Sequence, residues 1–188
     1  MRRDSESLTD RRKLLRDQTN HLHKKLDDNV GPLGTSDQYL RYLRGMLQFR
    51  RPIEQQIAAS RLPEDFSTFV PSRISEELES DLRALDRAPI IVPAELIDPQ
   101  PLDFSELLGV LYVLEGSSLG ARFLIKRAEQ LGFGEATGAS HLAKQTCDSG
   151  NWKAFCALLE QVETVDEEAM ASAARTTFSR ALDAFEKV

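Results

Sequence analysis

An all-α fold follows from three observations on this 188-residue chain. Apolar residues recur at spacings of three and four, the period of an amphipathic helix. Two-residue alternation, the mark of a half-buried strand, is not sustained anywhere. The glycines and prolines fall between helical patterns rather than between short strands. The length suits one domain, residues 1–188, and 41% hydrophobic with 29% charged residues excludes a disordered chain.

The first helix is expected over residues 8–28, where Leu15, Thr19, Leu22 and Leu26 recur at 4, 3 and 4. It ends on Asp27, Asp28 and Asn29, followed by the turn Gly31-Pro32-Leu33-Gly34. Thr35-Ser36-Asp37-Gln38 is a capping-box start for a second helix bearing Tyr39, Leu43, Met46, Ile53 and Ile57. Pro52 should kink or break that helix, because proline removes an interior donor. Ile74, Leu78, Leu82 and Leu85 mark a third helix that ends by Asp86 and Pro89. Pro93, Pro99 and Pro101 define an extended connector before Asp103-Phe104-Ser105-Glu106, a second capping-box start. The helix that follows, over residues 105–131, is the most apolar and is expected to be central, with Gly132 and Gly134 ending it. Residues 134–150 read as an irregular, mobile loop. A short helix over 151–162 places Trp152, Phe155 and Leu159 on one side. Thr164-Val165-Asp166-Glu167 caps the last helix, with Met170, Ala174, Phe178, Leu182 and Phe185.

Composition removes several functions. Lys plus Arg number 24 against 30 Asp plus Glu, a net charge of −6, which argues against nucleic acid as a partner. No leader pattern opens the chain and no apolar run is expected to reach a membrane span of about 18 residues. Cys147 and Cys156 form neither a disulfide scaffold nor a metal knuckle, so they read as plain thiols in a reducing cytoplasmic setting. A Glu-x-x-His pair, a phosphate-cradling loop and a nucleophile elbow are all missing. Asp103, Glu106 and Glu115 read as caps and surface acids.

Two places carry chemistry. On the first helix, with Leu15 at zero, His23 falls near ~80° and Arg16 near ~100°, about 10 Å apart along the axis. Both flank the buried stripe, while His21 falls on the solvent side. An imidazole and a fixed cation on one line suit a metal-bound porphyrin with anionic side chains. The residues alone favour a plainer reading, a half-buried histidine bonded to a backbone carbonyl beside a solvated arginine. The second place is Leu111-Tyr112-Val113-Leu114-Glu115-Gly116-Ser117-Ser118-Leu119-Gly120-Ala121. Gly109, Gly116 and Gly120 fall on one line of the helix, although each glycine costs about 1 kcal/mol there relative to alanine. Such a stripe admits either a flat ligand or a closely packed helix, and it permits a kink. Tyr112, one turn earlier, suits a hydrogen bond to the polar edge of a ligand.

Together, Thr19-Asn20-His21-Leu22-His23-Lys24-Lys25-Leu26-Asp27 and the Leu111-to-Ala121 segment resemble the bacterial branch of the heme oxygenase family, including enzymes associated with bacterial phytochromes. The resemblance runs through nearly the whole chain in helix order, with strong motif identity confined to these two stretches. It implies a single helical bundle with a proximal N-terminal helix and a glycine-kinked distal helix. His23, and not His21, resembles the proximal iron ligand; Arg16 and Tyr112 match propionate contacts. Gly116, Ser117 and Gly120 match the distal helix over the oxygen site, Lys153 a second propionate contact, and Phe178 a pocket-lining residue. Animal members carry an aspartate after the first distal glycine, where this chain has Ser117.

The implied reaction takes heme as both cofactor and substrate and, with O2 and electrons from an external reductase or ferredoxin, yields biliverdin, iron and carbon monoxide. The implied partners are that redox protein and a phytochrome receiving biliverdin. Two rival readings stay open on the same scaffold: a non-catalytic heme carrier or sensor, and a heme-free interaction module.

Overall fold

The computed structural model describes residues 4–63, 66, 69–85, 100–148 and 150–188. Among these residues there is no strand, and the architecture is a helical bundle. Its elements are α1 (Asp4–Val30), α2 (Ser36–Ala59), α3 (Ser75–Ala84), α4 (Phe104–Gly116), α5 (Ser118–Gln130), α6 (Ser140–Cys147), α7 (Asn151–Gln161) and α8 (Glu167–Glu186). A single 3-10 turn, Glu135–Thr137, precedes α6. The expected end of the third helix at Asp86 and Pro89, and the connector prolines Pro93 and Pro99, lie outside the described residues.

The hub is α8 rather than the expected apolar helix: α1, α2 and α4 all pack on it. Small residues explain this. Ala171, Ala174, Ala181 and Ala184 are buried on α8. Gly45 of α2 receives the Phe185 ring, which a Cβ would meet at 2.6 Å. Around this hub Leu15, Leu43, Leu47, Leu78, Leu82, Leu107, Leu114, Leu159 and Phe185 are buried in one cluster. Each such side chain contributes about 1.5–3 kcal/mol relative to exposure.

Helix α1 begins earlier and ends later than its apolar pattern, and its stripe is buried only at Leu15 and Thr19, with Leu22 and Leu26 half-buried. Arg11 is buried and donates to the Val162 and Leu159 carbonyls, capping the end of α7. Thr35 caps α2, accepting from the Gln38 N–H, while the Gln38 side chain reaches back to the Gly34 N–H. Pro52 does not break α2, which runs through to Ala59. Phe49, Arg50, Ile53 and Glu54 are buried on either side of it, so tertiary packing outweighs the lost backbone bond.

The apolar run 104–130 is long enough for a membrane span by length and composition, contrary to the expectation that none exists. Half of its most apolar window is buried, which is the pattern of a core helix, and it is interrupted at Ser117. Asp103 and Glu106 form the expected reciprocal capping box. Glu115 is a correction: it is fully buried, accepting from the Ser72 N–H and hydroxyl at 2.7 Å each.

The expected loop over 134–150 is instead the 3-10 turn and α6. The reason is tertiary. Asp81 of α3 accepts from the Ser140 N–H (2.8 Å), the Ser140 hydroxyl (2.7 Å) and the His141 N–H (3.1 Å), supplying the cap that the local sequence lacks. His141 is fully buried, with Nδ1 2.6 Å from Asp81 Oδ2 and Nε2 3.3 Å from the Tyr42 hydroxyl. Burial pushes the imidazole pKa down, against the pull of Asp81. Burial also raises the Asp81 carboxyl, but the hydrogen bonds from His141 and Ser140 outweigh it and hold the pKa below its usual value. Asp166 caps α8 as expected, accepting from the Glu168 and Ala169 N–H groups.

Candidate active site

Helix α1 presents Arg16 and His23 on its exposed surface; the His23 side chain is 60% exposed, well outside the core edge that the wheel suggests. His23 Nδ1 lies 3.2 Å from Asp27 Oδ2, one turn further on. Among the described residues Nε2 has no polar contact, so that nitrogen is the one open to a metal. Phe178 of α8, itself buried, meets the imidazole edge-on with ring centroids 5.8 Å apart. His21 is exposed on the same helix and joins none of these contacts.

Tyr112 of α4 reaches the same helix. Its hydroxyl feels Thr19 and the Arg16 and Arg12 guanidiniums, which favour the charged phenolate. Burial raises the phenol pKa against those three, so Tyr112 is a neutral donor flanked by cations. This places Arg16, Thr19 and Tyr112 together from two separate elements, an arrangement suited to a carboxylate. Lys153 is exposed at the start of α7 beside Trp152, and no contact ties it to this group.

The break between α4 and α5 has a clear local cause. Ser117 Oγ donates to the Leu114 carbonyl and Ser118 Oγ to the Glu115 carbonyl, both at 2.6 Å. Hydroxyls thus satisfy carbonyls that an unbroken helix would bond through its own N–H groups. Gln145 of α6 approaches Ser117 Oγ at 3.4 Å.

The three glycines of the expected stripe part company at this break. A Cβ on Gly109 would run into the Met170 carbonyl oxygen and stand 3.0 Å from Ala173 Cβ, so Gly109 serves helix packing. At Gly116 a Cβ would meet only the Trp152 ring, at 3.5 Å. At Gly120 nothing lies within 4 Å. Leu119 and Phe123 beside it are 56% and 77% exposed. Bare backbone and apolar side chains therefore face open space there. A polar cavity of about 400 Å³ lined by Arg51, Glu54, Arg73, Glu76, Glu77 and Lys144 shares no residue with this region.

Residues 9–187 match the heme oxygenase family. The chain belongs to the heme oxygenase family. It is 30% identical over 175 residues to heme oxygenase PigA of Pseudomonas aeruginosa, covering 90% of this chain and 88% of that protein. Its fold is that of the NO- and CO-bound heme oxygenase from Neisseria meningitidis, with a TM-score of 0.74 and 23% identity over 93% of this chain and 89% of the other. Family and fold support a heme-degrading oxygenase.

The residues present fit heme. His23 has Nδ1 near Asp27 and Nε2 without a partner among the described residues, Gly120 fronts open space, and Arg16 and Tyr112 offer donors to anionic side chains. Sequence reasoning missed Trp152 as a site neighbour: its ring lies 5.8 Å from Tyr112 and against Gly116. It also missed Gln145, which lay inside the stretch read as loop. The i,i+4 spacing of His23 and Asp27 was the one available signal for the orienting carboxylate.

Proposed function

We propose that this protein cleaves heme to biliverdin, iron and carbon monoxide, using O2 and electrons from an external reductase or ferredoxin. The observation that carries the reading is the exposed His23, with Nδ1 near Asp27 and no partner at Nε2 among the described residues. When bound, heme supplies the redox chemistry that activates O2, and the protein supplies orientation and shelter. His23 would hold the iron as a neutral imidazole, with Asp27 fixing its tautomer. Arg16 and Tyr112 would bind a propionate by charge-assisted and phenolic hydrogen bonds, and Lys153 the other. Phe178 would pack against the macrocycle. Gly116, Ser117 and Gly120 would form the distal wall: the glycines let backbone approach closely, and Ser117 Oγ stays committed to the Leu114 carbonyl. Residues 1–188 would act as one domain. The free thiols, Cys147 exposed and Cys156 buried, accord with a reducing, cytoplasmic setting. A redox protein that supplies the electrons and a phytochrome taking up biliverdin are the proposed partners.

The test is a hemin titration of the full chain, followed by ascorbate in air with catalase present. One-to-one binding, loss of the Soret band and growth of a biliverdin band support cleavage. A Soret band that survives ascorbate, and survives a ferredoxin–reductase couple as well, would favour a carrier or sensor. Failure of hemin to saturate would leave a heme-free module.

A further inference from the structure

Ser72 is bonded to three helices at once. Its N–H and hydroxyl donate to the two carboxylate oxygens of Glu115 at 2.7 Å each. Its carbonyl accepts from Arg50 Nη2 at 2.8 Å, and its hydroxyl accepts from Asn151 Nδ2 at 3.1 Å. Arg50 and Glu115 have no exposed surface. Arg50 also pairs with Glu54 at 2.9 Å and approaches the Leu114 carbonyl at 3.5 Å, the same carbonyl that Ser117 Oγ serves at the break. Glu115 directly precedes Gly116, and Asn151 directly precedes Trp152, whose ring covers Gly116.

Burying two carboxylates with one guanidinium, only one of them paired to it, is a poor way to gain stability, since well-packed apolar residues of similar volume commonly do as well or better. Such a cluster does fix geometry, because every partner is directional and a misplaced one strands a buried charge. We propose that Ser72 and Glu115 are positioning residues that clasp the α4–α5 break to the start of α7, and so set the spacing between Gly116 and Trp152. Resting on the heme reading above, the clasp also fixes the height of the distal wall over the substrate. Neither residue touches the substrate; both act through Gly116 and Trp152.

Trp152 is the single tryptophan of the chain, so its fluorescence reports on this joint before any ligand is added. Ser72→Ala and Glu115→Gln in the full chain should retain the helical circular-dichroism spectrum. Trp152 emission should move to longer wavelength, and iodide should quench it more strongly. Ser72→Ala should weaken hemin binding about tenfold, about 1.4 kcal/mol, and Glu115→Gln, which keeps the shape and one acceptor, less. Should either variant fail to fold, Asn151→Ala removes the arm nearest the surface, its bonds to the Ser72 hydroxyl and the Val70 carbonyl, and is expected to shift the same emission. Variants that melt earlier but keep wild-type emission and wild-type hemin affinity would overturn the clasp. A wild-type protein that does not saturate with hemin would instead overturn the heme reading, while a shift in the ligand-free emission would still uphold the clasp.

Discussion

Alanine at Gly109 and alanine at Gly120 should have opposite consequences, though the two glycines fall on one line of an ideal helix. At Gly109 the new methyl would stand 3.0 Å from both Ala173 Cβ and the Ala174 nitrogen and collide with the Met170 carbonyl. The obstacle is α8 backbone, which cannot swing aside as a side chain would. Overpacking of this kind costs about 1–3 kcal/mol and more when backbone must move, so about 3 kcal/mol is expected after the gain in helix propensity. For a chain of this length each kcal/mol lowers the midpoint by about 2–4 °C, giving a fall of about 9 °C in Tm. At Gly120 nothing lies within 4 Å, so the methyl enters open space and the first turn of α5 gains about 0.5 kcal/mol. There Tm should hold or rise by about 2 °C, while hemin affinity and the spectrum of the complex change. Thermal melts followed by circular dichroism, with and without hemin, read both. A Gly109→Ala protein as stable as wild type, or a Gly120→Ala protein destabilised as much as Gly109→Ala, would refute the assignment of one glycine to packing and the other to the site.

Three further expectations follow from named contacts. Asp81→Ala strands two N–H groups and two side-chain donors at the start of α6, at a cost of about 3 kcal/mol. With a urea slope of about 2 kcal/mol per molar, the midpoint should fall by about 1.5 M, and a shift under about 0.5 M would contradict the tertiary cap. The same pair sets an acid dependence. The folded pKa of His141 lies below its unfolded value near ~6.5, so the unfolded chain binds the proton first and stability declines as pH drops below that. Asp81, lowered from its ordinary carboxylate value, adds a second loss below about pH 4. Urea midpoints across pH 4–8 should show the first decline in wild type and lose it in His141→Gln; an unchanged profile in that variant would assign the decline elsewhere. Tyr112→Phe should weaken hemin binding about tenfold, the worth of one good hydrogen bond to a charged group, without lowering Tm. Equal affinity by titration would remove Tyr112 from the propionate site.

What the sequence made legible was what local periodicity and spacing encode. The helix starts at Thr35, Asp103 and Asp166 rest on side chains three residues or fewer from the N–H they serve. The proximal and distal motifs are each contiguous, so their residues could be read off the wheel. What stayed hidden depends on partners far along the chain. Helix α6 is capped from Asp81, some 60 positions earlier, and its window reads as loop without that carboxylate. Glu115 follows an apolar run and looks like a surface acid until Ser72 is folded against it. The glycine stripe was an ideal-helix inference, and the Ser117 and Ser118 hydroxyls break the helix on which it relied. The wheel put His23 at the edge of the core, but its exposure depends on which helices cover α1, and it is 60% exposed where α7 and α8 leave that side open.

The account turns on His23 as the group that holds heme iron. Hemin titrations of wild type and His23→Ala, read by the visible spectrum with and without added imidazole, test it directly. The account predicts one-to-one binding by wild type, loss of that spectrum in His23→Ala, and its restoration by imidazole filling the vacated place. A His23→Ala protein that gives the wild-type spectrum without imidazole would contradict it.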